Sequence, residues 1–153
     1  MKFRDREHRQ AYRRMFDASD SVNDGNHRGL FYMLGLLPET RLHLVELFDY
    51  GRDTVRTDGL VKPWQTACSI RTTRLAFNLF NGFKGFNGER QIEPESLYTP
   101  DTLFDPSLCE FCLEACRIRY DYMPRYERET ARDDDDLDLN LNIDWDTPSL
   151  SDD

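Results

Sequence analysis

Three of the four cysteines lie close together as Cys109, Cys112 and Cys116, a C-x2-C-x3-C run; Cys68 stands apart. Three thiolates with one further ligand can hold zinc or an iron–sulfur cluster. The same spacing, i, i+3 and i+7, is that of a buried stripe on one helix, and cysteine is among the most buried residue types. Ligating pairs usually sit on turns, so core packing is the expected role, with no metal and no cofactor. The three histidines, His8, His27 and His43, have no metal-binding spacing and no nucleophile or spaced carboxylate beside them in sequence. His8 lies among charges and is expected to be exposed. His27 is expected just after a helix cap at Asn26, and His43 sits among Leu42, Leu44 and Val45. No phosphate-cradling glycine loop or hydrolase, kinase or deaminase signature occurs. The expectation is a protein that is not an enzyme.

A second candidate for chemistry is a polar stripe. Arg71, Arg74, Asn78 and Asn81 fall within about 80° of one another on a helical wheel, and Gln65 and Thr66 precede them. Long polar groups on an otherwise apolar helix need partners. They either hydrogen-bond within the fold, tying down loops such as 50–62, or line a groove for an anion or peptide, where arginine beside amides suits phosphate or carboxylate.

The helix that would carry this stripe runs over 64–82. Ile70, Leu75, Ala76, Phe77, Leu79 and Phe80 cover more than half its circumference, which predicts a central position, and Gly82 is a natural stop. Other helices are predicted over 4–18, 26–36, 38–49 and 106–121. Thr99-Pro100 and Asp105-Pro106 each read as an N-cap before a proline at the first helical position. Residues 50–62 read as a connector with a short strand near Thr54–Arg56, and 83–94 as an irregular loop or loose hairpin. The expected fold is all-α, a compact bundle of five or six helices with at most a minor β-hairpin. No stretch is apolar enough to span a membrane, and the charged opening Met1–Phe16 is unlike a secretory leader. The cysteine spacing suits a reducing compartment. A soluble cytoplasmic protein is expected.

Charge divides the chain. Of 29 acids and 20 bases, 11 acids and two bases fall in residues 127–153, which leaves 18 of each in 1–126. A neutral globular domain over 1–126 is therefore expected to carry an acidic, flexible tail over 127–153. Four acids, Asp133, Asp134, Asp135 and Asp136, open the tail's second part. Leu137, Leu139, Leu141, Ile143 and Trp145 then alternate with Asp138, Asn140, Asn142, Asp144 and Asp146. That is strand periodicity. Alone, so charged a segment is expected to be disordered; on a partner it can add as an edge strand whose alternate side chains enter pockets. The N-terminal helix is basic, through Arg4, Arg6, Arg9, Arg13 and Arg14, which makes it a solvated face, a phosphate-binding surface or a receiver for acidic segments.

The blocks FYMLGLLPETRLHLVELFD (31–49), WQTACSIRTTRLAFNLFNGF (64–83) and YTPDTLFDPSLCEFCLEACRIRYDYMPRY (98–126) resemble a family of small uncharacterised proteins, DUF6075, carried by gut Firmicutes and their conjugative elements and phages. The likeness covers most of 1–126, with TR, WQT and LAFNLxNG as its specific blocks and the tail as an extension. It implies a bacterial or mobile-element origin and a cytoplasmic location, and no known activity. The family pattern has aromatic or aliphatic residues where this chain has Cys112 and Cys116, which implies a core role for both. The leading expectation is a non-enzymatic modulator that binds a host or competitor protein, as an anti-CRISPR-like inhibitor does, through Asp133–Asp136 and the five apolar anchors. The alternatives are a nucleic-acid accessory protein using the basic helix, and a small anion-binding protein or enzyme using the polar stripe. A purely solubilising tail, or one that forms part of a dimer interface, is the plainest alternative.

Overall fold

Residues 29–34 are buried without a gap, so the helix that contains them has no face left for solvent. This helix, α2 (Gly25–Leu34), is the hub: α1 (Arg6–Ala18), α5 (Ala67–Asn81) and α7 (Cys109–Arg119) all pack on it. The apolar pattern of the sequence points instead to the 64–82 helix as the centre. That helix is longer and strongly apolar, but its polar stripe holds one side open to the chain that returns over it. Fully burying a residue such as Phe31 or Leu34 stabilises the fold by about 1.5–3 kcal/mol, and α2 supplies a continuous run of such positions. Two glycines allow the close packing. A Cβ on Gly25 would lie 2.1 Å from the Arg119 carbonyl oxygen, and one on Gly29 would lie 3.2 Å from the Arg119 Cβ.

The coordinates are a computed structural model, and it describes residues 1–20 and 23–121. The chain divides into two units, Met1–Tyr122 and Met123–Asp153, and the helices and hairpins described all belong to the first. The domain boundary expected at 126/127 and all the tail residues named above, Asp133–Asp136, Leu137, Leu139, Leu141, Ile143 and Trp145, lie outside the described residues.

The fold is mostly helical. Among the described residues there are seven α-helices, three of them single turns, and two small antiparallel hairpins. The helix expected over 38–49 is broken in two, α3 (Pro38–Arg41) and α4 (Leu44–Leu47). Phe48–Asp49 (β1) then pairs with Thr54–Val55 (β2), Phe48 opposite Val55. The pairing falls at the β-branched and aromatic residues that favour a pleated strand. Thr57–Val61 is a 3-10 turn that leads into α5. Thr66 caps α5 by accepting from the Ser69 N–H, while the Ser69 side chain accepts from the Thr66 N–H, a reciprocal capping box. Gly82 ends α5 at φ 76°, the left-handed conformation that only glycine adopts cheaply. The 83–94 segment forms the hairpin β3 (Phe86–Asn87) and β4 (Arg90–Gln91). Pro100–Leu103 is α6, and Asp105 caps the turn of 106–108 that runs into α7.

Candidate functional site

The polar stripe of α5 proves to be a row of ties to the chain that crosses it. Arg74 grips Glu93 with two bonds, Nε to Oε1 at 3.1 Å and NH2 to Oε2 at 2.7 Å. The Tyr98 hydroxyl donates to the same carboxylate at 2.5 Å. Both charged side chains are nearly buried, 13% and 11% exposed. Burial alone would push the Glu93 carboxyl up; its bonds to Arg74 and Tyr98 outweigh that and hold it below the usual range. Asn78 donates to the Phe83 carbonyl and Asn81 accepts from the Phe83 N–H. Arg71 reaches the carbonyls of Phe104 and Asp101, at 3.5 and 3.3 Å. These four residues therefore hold segment 83–104 against α5. Gln65 donates to the Gly59 carbonyl and the Thr73 hydroxyl and accepts from Ser69, while Thr66 serves as the cap. All six candidate groove residues thus engage partners within the fold, and Glu93 and Tyr98, which complete the network, had no signal in the sequence.

Two histidines stand in settings the sequence does not disclose. His8, expected to be exposed, is completely buried, because the helix turns it towards α2. Its Nδ1 accepts from the Arg4 N–H at 3.0 Å and its Nε2 lies 2.7 Å from the Tyr32 carbonyl. The first bond requires a lone pair on Nδ1, so the proton sits on Nε2 and the ring is neutral. Burial lowers its pKa to about 4. Phe3 and Tyr32 close over it edge-on.

His27 lies in the first turn of α2, whose cap is Asp24 and not Asn26. Asp24 Oδ1 accepts from the His27 N–H at 2.9 Å and touches His27 Nδ1 at 2.8 Å. His27 Nε2 is 2.8 Å from Asp53 Oδ1, on the turn between β1 and β2. Burial would lower the His27 pKa, but the bonds to Asp53 and Asp24 outweigh it and the pKa is raised. The cap expected at Asn26 is thus two residues earlier, at Asp24, a residue type that favours that position; Asp53 carried no signal in the sequence. His43 stacks flat on Trp64, ring centroids 4.2 Å apart, with Nδ1 on Glu46 at 2.5 Å.

The cysteines form no cluster with a ligand set: among the described residues, no three His, Cys, Asp or Glu side chains are placed to hold a metal ion. The expected single buried stripe is only partly so. The face of α7 turned inward is Phe111, Cys112, Ala115 and Ile118. This buries Cys112, leaves Cys116 half-buried and exposes Cys109. Burial pushes the Cys112 thiol up to about 12 and, with Asp105 beside it, Cys68 up to about 11.

Arg6, Arg9, Arg13 and Arg14 are exposed; the first three lie on the face of α1 opposite His8, Ala11 and Met15, and Arg14 lies to the side of that face. Arg4 is also exposed, near the helix start, where its N–H is used by His8.

No helix among the described residues is long and apolar enough to cross a membrane. A mostly helical domain, built around one buried helix and laced by buried polar ties, is the class of protein these features define. The chain belongs to a family of unknown function, DUF6075, whose model matches residues 1–133. The match ends at Asp133, within the acidic segment, so it takes in the first residues of the tail as well as the domain. No curated protein and no solved structure matches the chain.

Proposed function

We propose that this protein is a non-enzymatic modulator that binds another protein through its acidic C-terminal segment, acting in the bacterial cytoplasm on behalf of a phage or other mobile element. One observation carries the reading: Asp133–Asp136 is followed by five apolar residues, Leu137 to Trp145, in strict alternation with acids and amides. An extended segment of this kind adds to a sheet edge by backbone bonds, with every second side chain in a pocket. The acids steer it towards a basic partner and raise the association rate. A nucleic-acid channel on a defence protein is such a partner, which makes an anti-CRISPR-like inhibitor the most specific form of the proposal. The test is a paired pull-down from bacterial lysate with the full chain and a truncation ending at Tyr126. Capture of a nuclease-resistant protein by the full chain alone is expected. Equal capture by both overturns the role of the tail.

A second reading has its own observation, the four exposed arginines on α1. They span nine residues, about 12 Å of helix, over which one strand of a DNA duplex presents about three to four phosphates. Guanidinium forks suit phosphate. In this reading the domain binds nucleic acid and the tail restrains it. Removal of 127–153 then increases duplex binding at low salt, and replacing Arg9 and Arg13 by glutamine abolishes the gain. No increase in a gel shift refutes it.

A further inference from the structure

Arg9, Tyr12, Arg13 and Phe16 stand at positions i, i+3, i+4 and i+7 of α1, which makes them neighbours in one strip along the helix. Cation and aromatic ring alternate in it. The strip runs between the buried face of His8, Ala11 and Met15 and the outward Arg6. Arg9 and Arg13 are exposed, and Tyr12 and Phe16 are partly exposed. The rings are braced from within the domain: Tyr12 packs edge-on against Phe3 and Phe16, and Phe16 edge-on against Phe31 of α2. Arginines elsewhere are tied within the fold, as Arg41, Arg71, Arg74 and Arg119 are to carbonyls or a carboxylate. Among the described residues, no ion pair or hydrogen bond engages the side chains of Arg9 and Arg13. Arg28 of α2 acts on the Tyr12 phenol by charge and adds a third cation beside the rings. The acid on the strip, Asp5, is one turn before Arg9 and is already engaged, since it caps α1 and lies 4.0 Å from Arg41. Asp17 lies on the far side of Arg13 from the rings.

We propose that this strip binds single-stranded nucleic acid, with bases stacking on Tyr12 and Phe16 and phosphates meeting Arg9 and Arg13. The inference rests on the second reading above, in which the basic face of α1 meets nucleic acid, and names the form of nucleic acid it takes. A duplex hides the faces of its bases and offers phosphates and groove edges, for which arginines alone would suffice. A single strand leaves base faces free, and rings set beside cations are the arrangement that tracks it. Every base has such a face, so the binding tolerates any sequence. Neither a ring nor a guanidinium selects between ribose and deoxyribose. From Arg9 to Phe16 the helix rises about 10 Å, the length of about three stacked nucleotides. A lipid surface is the less suited polyanion. It is entered by an apolar helix face, and the apolar face of α1 is buried in the domain.

The experiment is fluorescence anisotropy at low salt with a labelled oligodeoxythymidine, an oligouridine and a duplex of the same length. Each is titrated with the full chain and with a full-length variant in which Asp133, Asp134, Asp135 and Asp136 are replaced by asparagine, which removes any restraint by those acids. The neutralised chain should bind both single strands at least about tenfold more tightly than the duplex. Tyr12→Phe keeps the ring and should keep this preference. Tyr12→Leu, its fold checked by circular dichroism, should weaken single-strand binding roughly fivefold or more, as loss of one stacked base does, and leave duplex binding unchanged. Arg9→Gln combined with Arg13→Gln changes only exposed positions. It should reduce the slope of log affinity against log salt for the single strand by about 1.4. A duplex bound as tightly as the single strands overturns the inference and leaves the second reading standing. So does a folded Tyr12→Leu that binds like Tyr12→Phe. Binding of none of the three nucleic acids by either chain, or binding only of phosphatidylglycerol vesicles, overturns the inference and the second reading together.

Discussion

Acid should destabilise this fold through His8 before most carboxylates titrate. The ring is completely buried, its Nδ1 is occupied by the Arg4 N–H and its Nε2 proton by the Tyr32 carbonyl. Protonation would place a second N–H against the Arg4 N–H and a charge in the core. The folded-state pKa is lowered to about 4, from 6.5 in the unfolded chain. The unfolded state thus binds the proton more readily, and stability rises with pH across this window. It is fully present above the unfolded value and is lost as pH falls towards the folded one. Between pH 7 and pH 5 the two values imply a loss of about 2 kcal/mol, and over the whole window about 3 kcal/mol. With a urea slope of about 2 kcal/mol/M, the loss between pH 7 and pH 5 moves the midpoint by about 1 M.

The assay is urea unfolding at a series of pH values for the wild type and for His8→Gln, which keeps a donor and an acceptor but no titrating ring. The variant will be less stable at pH 7, because an amide does not refill the space among Phe3, Tyr32 and Met15. The informative quantity is the slope with pH. Other groups contribute to it: Asp24, Glu93 and Glu114 all have lowered pKa values and lose stability at lower pH, while His27, with a raised one, loses stability as pH rises through it. These are common to both proteins and cancel in the difference. The wild type should lose about 2 kcal/mol more than His8→Gln between pH 7 and pH 5. Equal losses, or a His8 ring that titrates near 6.5 in the folded protein, would refute the reasoning.

The α5 ties give a second test. Arg74→Met strands a nearly buried Glu93 and should cost about 3–5 kcal/mol; adding Glu93→Gln should recover much of it, and failure to recover in thermal unfolding would show that the pair's charge is unimportant. The thiols give a third. In native protein at neutral pH one cysteine, Cys109, should react quickly with a thiol reagent, whereas buried Cys112, with its thiol pushed up to about 12, should be released only by denaturant; peptide mapping decides. At the α2–α7 contact, Gly25→Ala puts a Cβ 2.1 Å from the Arg119 carbonyl oxygen. Overpacking of this kind typically costs about 1–3 kcal/mol, visible as a lower melting temperature, and an unchanged one would mean that the helices part freely there.

What the sequence disclosed and what it hid divide along one physical line. Local chemistry was legible: the Asp105 cap, the Gly82 stop, the prolines opening α3 and α6, and the strand at Thr54 all depend on residues close together in the chain. The polar stripe was legible as a stripe because a helix has a fixed period. Which partner a stripe meets depends on where the chain returns, and the period says nothing about that. Arg74 meets Glu93, 19 residues on, and His27 meets Asp53, 26 residues on. The same limit explains His8. Its neighbours Glu7 and Arg9 are charged, and local composition therefore suggested solvent. Successive turns of α1 nevertheless place His8 with Ala11 and Met15, the i, i+3 and i+7 positions of a core face. That face was readable once histidine was allowed as a core residue, which requires two hydrogen bonds to offset the cost of burying it. One of these, from Arg4, is local; the other, to Tyr32, is supplied by the helix it packs against. A polar residue on an apolar stripe is thus evidence of a buried partner before that partner can be named.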